Sequence, residues 1–388
     1  MFLEKNRKHL SEVVFLTVAV VFLLVFSADS FSQTRKEINI PDIPGYITLK
    51  CDFHMHTVFS DGQVWPTVRV DEAWLEGLDA ISITDHIEYQ PKDEVVKDEH
   101  NLPYRLARSK ARQLNLLNIQ GTEVTRSVPP GHLNAIFITD AKAMDTEDYM
   151  DALRIAKEQG GFIFWNHPSY KQVNNQSIWH IEHTEILERG LMQGIEVVNG
   201  STYYPEAHQW CLDKKLTMIG TSDSHTVMAF QYGGNEDDHR PMTLVFAEER
   251  TAESLKEALF DRRTVVYWQN SMAGEEKFLK PLFHESLDIL NTEITIRGTG
   301  SVNVQIHNKS DMTYRLRSQG STDEITFPGN IELPAGKTVL LNVRGSSEET
   351  SGRKKVKLPL IVSNMYSKPR EGLQVEIELD VTFIPTNR

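Results

Sequence analysis

Between Ile47 and Trp268 the chain keeps returning to one pattern: a short apolar run, often ended by a histidine or a carboxylate, then an amphipathic stretch. The runs are "ITLKCDFHMH", "DAISITDH", "LNIQGTEVT", "HLNAIFITD", "GFIFWNHP", "GIEVVNG", "LTMIGTSDSH" and "MTLVFA". Between several of them lie the helix-like segments "TVRVDEAWLEG", "TEDYMDALRIAKEQG", "YPEAHQWCLDKK" and "TAESLKEALFDRR". The first two end in Gly77 and Gly160, and glycine is the favoured residue just past a helix C-terminus. Such alternation predicts an α/β fold around a parallel sheet, closed or open.

The pattern changes after Asn270. In "LQVEIELDVTFI", Leu373, Val375, Ile377, Leu379, Val381 and Phe383 fall on one face and polar residues on the other. That period belongs to an antiparallel sandwich with one wet face per sheet. A chain of 388 residues has room for both parts, since single cores stop growing well below that length. The predicted division is a barrel over 45–269, a linker over 270–284 containing "NSMAGEEKFLKP", and a smaller Ig-like β-sandwich over 285–388.

The N-terminus reads as an export signal over residues 1–33. Lys5, Arg7 and Lys8 precede the apolar "VVFLTVAVVFLLVF", and "SADSFSQ" supplies small residues suited to cleavage. The apolar run falls short of the roughly 20 residues of a spanning helix. A cleaved signal, with a periplasmic or secreted product, is therefore expected over a retained anchor, and membrane contact is confined to this segment. Cys51 and Cys211 are the only cysteines and are read as buried free thiols rather than a disulfide framework. The net charge of -13 argues against a basic surface for nucleic acid.

Within the first region the polar groups at the run ends form a set. His54 and His56 share one face of a strand, opposite Cys51, Phe53 and Met55. His86 ends "DAISITDH", Glu123 comes late in "LNIQGTEVT", His132 opens the next run, and His167 ends "GFIFWNHP". Asp223 and His225 share a face at the end of "LTMIGTSDSH", and Asp61 follows in the loop after the first run. A lone histidine at a strand end is usually a satisfied polar residue. Nine such donors are a different matter, because parallel barrel strands converge at one mouth. Mixed imidazole and carboxylate suits zinc, manganese or iron, and nine donors fit two or three ions rather than one.

In order, "DFHMHTVFSDG", "ITDH", "GTE", "GH", "NHP" and "SDSH" resemble the motifs of the polymerase and histidinol phosphatase (PHP) family of metal-dependent phosphoesterases, over Ile47 to Trp268. The resemblance implies a distorted (β/α)7 barrel. It implies that His54, His56, Glu123 and Asp223 hold one ion, that His132 and His167 with a bridging Glu123 hold a second, and that Asp61, His86 and His225 hold a third. The implied reaction is hydrolysis of a small phosphate mono- or diester by a metal-activated hydroxide, with His54, His56, Asp61, Glu123, Asp223 and His225 at its centre. Amidohydrolases also begin with H-x-H, but Glu123 and the closing Asp-x-His fit the phosphoesterases better. A nuclease or exonuclease of the same family is one alternative. A non-catalytic, metal-stabilised binding protein recognising through the sandwich is another, although structural zinc sites are usually cysteine-rich.

Finer expectations surround this set. Asp52, one step below His54 on the same face, is expected to orient a ligand histidine. Arg126, Lys171 and Arg240 flank the motifs and are candidates to grip phosphate. "VNGSTYY" (Val198 to Tyr204) is a candidate pocket wall, and Glu88 to Arg108 a lid or a surface insertion. A general acid does not stand out; His180, His183, His208 and His239 qualify only by residue type.

Overall fold

The computed structural model describes residues 33–96, 99–232 and 238–386, of which 36–386 belong to one compact unit. The export segment expected over 1–33 lies outside the described residues but for Gln33. Among the described residues no helix is long and apolar enough to cross a membrane.

Strands β1 (Ile47–Asp52), β2 (Ala80–Ile83) and β3 (Leu117–Thr125) pair in parallel. β4 (His132–Ile136) runs against both its neighbours, β3 and β5 (Phe162–Trp165). The connection from Thr125 to His132 is too short for the dozen residues a parallel crossover needs. "HLNAIFITD", read as part of a parallel sheet, is therefore an antiparallel strand. This reversal is why its histidine opens the run: the N-terminus of β4 lies beside the C-terminal end of β3, with Thr125 opposite His132.

β6 (Gly194–Asn199) is parallel to β5, the two-residue β7 (Thr202–Tyr203) folds back on it, and β8 (Thr217–Thr221) joins in parallel. The chain just beyond β1 and β8 zips the first and last parallel strands together. Met55 bridges Ser224, His56 N–H donates to Ser224 O (2.9 Å) and Asp223 N–H to His54 O (2.9 Å). β9 (Met242–Ala247) and β10 (Thr264–Trp268) are antiparallel to β1 and β9 respectively, so "MTLVFA" also departs from the parallel reading.

Helices clothe the outside. Pro66–Leu75 starts on a proline, whose fixed φ and missing N–H cost nothing at a first turn. Tyr149–Glu158 is capped by the Asp148 carboxylate, and Ala252–Phe260 by the Thr251 hydroxyl. Helix Leu102–Gln113 buries Ala107 and Ala111 against helix Pro66–Leu75 and β3. The end of the segment read as a lid or insertion thus belongs to the barrel wall. Cys51 and Cys211 are buried and free.

Residues 270–284, expected as a linker, are structured. β11 (Ser271–Gly274) pairs antiparallel with β10 and parallel with β19 (Gly352–Lys368). Helix Glu276–Glu285 then buries Phe278, Leu279, Leu282 and Phe283. That buried apolar face makes the expected linker a packed helix.

The rest is a two-sheet sandwich. One sheet runs β12 (Leu287–Ile289), β14 (Ser301–Asn308), β18 (Thr338–Gly345), β16 (Ile325–Thr326). The other runs β13 (Glu293–Arg297), β20 (Glu371–Ile384), β19, β15 (Tyr314–Ser318), β17 (Asn330–Leu333). All six alternating apolar residues of β20 are buried.

Candidate metal centre

All nine donors meet at the mouth of the barrel. Past β1, the zipped backbone holds His54 and His56 against Asp223, and each Nε2 lies 3.1 Å from Asp223 Oδ1. The two Nε2 atoms are themselves 3.1 Å apart, and each lies 3.5 Å from Glu123 Oε2. Glu123 also faces the other side of the site, its Oε1 lying 2.9 Å from His132 Nδ1 and 3.7 Å from His167 Nε2. On the outer rim Asp61 Oδ1 lies 3.2 Å from His225 Nε2 and 3.5 Å from His86 Nε2. His167 and Asp223 adopt left-handed backbone, with φ of 26° and 51°; such strain persists where surrounding structure enforces it and gathers at functional sites.

A second layer fixes this arrangement. Glu196, wholly buried in β6, accepts from His54 Nδ1 (2.7 Å), Thr221 Oγ1 (2.6 Å), the His167 N–H (2.6 Å) and Asn199 Nδ2 (2.9 Å). It therefore holds a ring from one side of the site and a backbone from the other. The buried Arg69 guanidinium donates to the carbonyls of His56, Ser224 and Thr226 (2.9, 2.8 and 2.8 Å), pinning together the two loops that carry histidines. Asp85 accepts from Thr57 N–H (2.7 Å), Thr57 Oγ1 (2.6 Å) and Ser60 Oγ (2.6 Å), which shapes the loop bearing Asp61. Gly62 closes that loop; a Cβ there would come within 2.5 Å of the His56 carbonyl carbon.

The chemistry of the set fits a cation. With Nδ1–H given to Glu196, His54 aims its Nε2 at Asp223 and at His56 Nε2, where a bound cation would replace the Nε2 proton. Lone pairs and carboxylates converging on one point repel unless a positive charge lies between them. Glu123 Oε2 and His132 Nδ1 are buried and, although 2.8 Å from His86 Nδ1 and 2.9 Å from Glu123 Oε1 respectively, make no well-aligned hydrogen bond among the described residues. The protons respond accordingly. His54 is held well above its ordinary range, against the effect of burial, by Asp223, Glu196 and Glu123. His86 is lifted to about 10, again against burial, by Glu123 and Asp61. His56 is pushed down to about 3 by burial and by the neighbouring His86. Glu123 and Asp223 stay well below the carboxylate range despite burial, because imidazoles surround them. Mixed nitrogen and oxygen donors of this kind suit divalent metals, and four overlapping groups of these donors have ligand atoms within 4.8 Å of one another.

A solved two-domain protein from Bacteroides vulgatus ATCC 8482, containing a predicted PHP-like metal-dependent phosphoesterase, is 43% identical to this chain. The match covers 90% of this chain and 100% of that one, with a TM-score of 0.84. The chain belongs to the PHP-like metal-dependent phosphoesterases. A family model described as an Ig-like domain, DUF5001, matches residues 287–378. Two more distant structures match 45% of this chain and 87% of their own, each with a TM-score of 0.35. They are a proposed metal-dependent phosphoesterase from Bifidobacterium adolescentis (19% identity) and an amidohydrolase from Chromobacterium violaceum with bound sulfate and no metal (17% identity). No curated protein matches the chain.

In this PHP-like chain the residues expected around the donors divide. Asp52 does not orient a ligand ring. It accepts from Ser222 Oγ (2.5 Å), Ser222 N–H (3.2 Å) and the backbone of His54 (3.3 Å), and pairs with Arg240 (3.2 Å). Arg240, expected to grip phosphate, is buried with that pair and with Glu76, because the buried Asp52 carboxylate demands a counter-charge. Arg126 is engaged by Glu88 and by Thr146 O. Lys171 is exposed and lies over the Tyr170 ring, 4.9 Å from its centroid. The wall expected from Val198–Tyr204 does reach the site: Asn199, Thr202 and Tyr204 line a cavity of about 480 Å³ together with six of the nine donors.

The four histidines considered as general acids have structural partners. His183 stacks on Trp165 and bonds Pro130 O; His208 meets the Tyr203 hydroxyl; His180 meets Gln172; His239 bonds Arg240 O. Sequence reasoning missed Glu196 and Arg69. Glu196 had left a trace, a lone charge in the middle of the apolar run "GIEVVNG".

Proposed function

We propose that this chain hydrolyses small phosphate mono- or diesters at the barrel mouth, with two or three zinc, manganese or iron ions held by His54, His56, Asp61, His86, Glu123, His132, His167, Asp223 and His225. The observation that carries this reading is the position of Glu123, a buried carboxylate with one oxygen toward His132 and His167 and the other toward His54, His56 and His86. Bound divalent ions supply Lewis acidity and activate water at neutral pH.

The chain's own residues prepare that chemistry. Glu196 holds the His54 Nδ1 proton, so that Nε2 is the ring nitrogen turned to coordinate once its own proton is displaced. Asp85 and Gly62 set the loop that presents Asp61, and Arg69 keeps the His56 and His225 loops in register. In the net reaction a water oxygen bonds to phosphorus, the bond from phosphorus to the leaving oxygen breaks, and a proton from water ends on the released alcohol. We further propose export through residues 1–33 to the periplasm or medium, and a supporting or partner-contacting role for the sandwich over 285–388.

The test is metal analysis of the purified protein followed by phosphate release from a mono- and diester panel with Zn²⁺, Mn²⁺ or Fe²⁺ restored. Bound transition metal with turnover supports the reading. Absence of bound metal, or no release from any ester after loading, overturns it.

A further inference from the structure

The cavity over the nine donors has a second wall, and its chemistry is uniform. Beyond the donors and Asn199, which is held by Glu196 and Asp223, it is lined by Ser169, Tyr170, Asn175, Thr202 and Tyr204. Each is neutral, and together they present hydroxyls, a phenol pair and an amide, groups that can both give and accept hydrogen bonds. Tyr204 is the buried member of this group, 7% exposed, whereas Tyr170, Asn175 and Thr202 face solvent. Tyr170 stands with its ring edge-on to His132 and His167, with centroids 5.5 and 5.0 Å away, and is 47% exposed. It offers an aromatic face next to the reacting centre.

Among the described residues no lysine or arginine lines this cavity. The neighbouring cations are committed elsewhere. Arg126 is held by Glu88, Arg240 is buried with Asp52, and Lys92 donates to Ser60 O (3.1 Å) and Gly62 O (2.7 Å). Lys171 lies against the Tyr170 ring. A second phosphate on the substrate would meet no lysine or arginine among the lining residues, and the exposed Lys171 beside them faces the Tyr170 ring, so the wall has no built grip for one. A simple alkyl chain would meet hydroxyls and an amide, with only the Tyr170 ring as an exposed apolar surface to pack on.

Building on the function proposed above, we infer that this wall receives the alcohol half of the substrate. That alcohol is neutral and hydroxyl-rich, of the sugar or polyol type, and the reacting phosphoryl group is the only anionic group the substrate carries. The wall hydroxyls and Asn175 meet the sugar's hydroxyls, and the part of the Tyr170 ring not covered by Lys171 packs against its C–H groups. Contacts remote from phosphorus then hold the ester for reaction.

The experiment compares kcat/KM of the metal-loaded full chain for a hexose phosphate, glycerol phosphate, an alkyl phosphate, p-nitrophenyl phosphate and a short oligonucleotide, with methyl diesters of the first two. Sugar and polyol esters are expected to exceed the alkyl ester and the oligonucleotide by about tenfold or more. In T202V and N175A the ratio of sugar-ester to aryl-ester kcat/KM is expected to fall by about three- to tenfold, with metal content measured alongside. A preference for the oligonucleotide or the alkyl ester overturns the inference. So does an equal loss on both esters in the two variants, which marks a structural role. Failure to turn over any ester with metal bound instead overturns the phosphoesterase reading on which the inference rests.

Discussion

At the barrel mouth nine titratable side chains crowd together, with His54, His56 and Glu123 wholly buried. On the outer face of β19 and β20 charge stands in water instead, as the cross-strand pairs Lys355–Glu378 (2.6 Å), Lys357–Glu376 (2.8 Å) and Arg353–Asp380. The exposed pairs keep their hydration and lose little when parted. The buried set has given up water, and its imidazoles and carboxylates crowd one another without aligning: Glu123 Oε2 lies within 3.5 Å of three imidazoles yet makes no well-aligned hydrogen bond. Spatial density of charge is thus a poor guide to function. The informative sign is charge that the fold has desolvated without fully pairing it.

That contrast can be broken at graded points. The largest effect is expected from Glu123→Gln, which removes charge facing both sides of the site: metal content falls and phosphate release drops on the order of 10³-fold. Turnover within tenfold of the parent, measured with metal content, would remove Glu123 from its central place. Next comes Glu196→Gln, expected to weaken metal binding by about 10- to 100-fold in a chelator competition, because the His54 ring loses its charged acceptor. Unchanged affinity would show that packing alone orients the ring.

A third effect is acid sensitivity away from the donors. Burial pushes His183 and His208 down to about 4, whereas an unfolded imidazole titrates near 6.5. As pH falls from about 6.5 to 4 the unfolded chain takes up protons that the fold refuses. The contribution of these two histidines is therefore full above 6.5, declines through that window, and levels off below it, by on the order of 3 kcal/mol each. Denaturant titrations should show His183→Gln flattening this decline; an unchanged slope assigns it elsewhere. The smallest effect is expected from Lys357→Ala, an exposed pair whose loss should leave the melting temperature unmoved. A clear drop there would mean that the sandwich face behaves more like the mouth than its exposure suggests.

Much of the site was legible because barrel topology concentrates it at strand ends, where polar residues stand out against apolar runs. His54, His56, His86, His167 and His225 all carry that mark. What hid from sequence was direction and depth. The reversal of β4 turns on the short Thr125–His132 connection, a local feature that the strand–helix rhythm masks. Glu196 lies mid-strand, where a single charge reads as noise until its partners His54 and His167 are placed around it from distant segments. Arg240 and Asp52 were read separately, although each explains the other only in three dimensions. The expected linker hid a packed helix because its Phe278, Leu279, Leu282 and Phe283 stripe lies at the change from one rhythm to the other, where neither period is complete.

The pairing of β11 with β19 has one more consequence. Because a strand that extends the barrel sheet lies hydrogen-bonded to a strand of the sandwich, the boundary between the two parts is a shared row of backbone bonds rather than a length of tether. Neither part can be inherited or exchanged alone without baring a sheet edge that invites association. Any ancestor or descendant that trades the sandwich for another module must also supply a new neighbour for Met272 and Ala273.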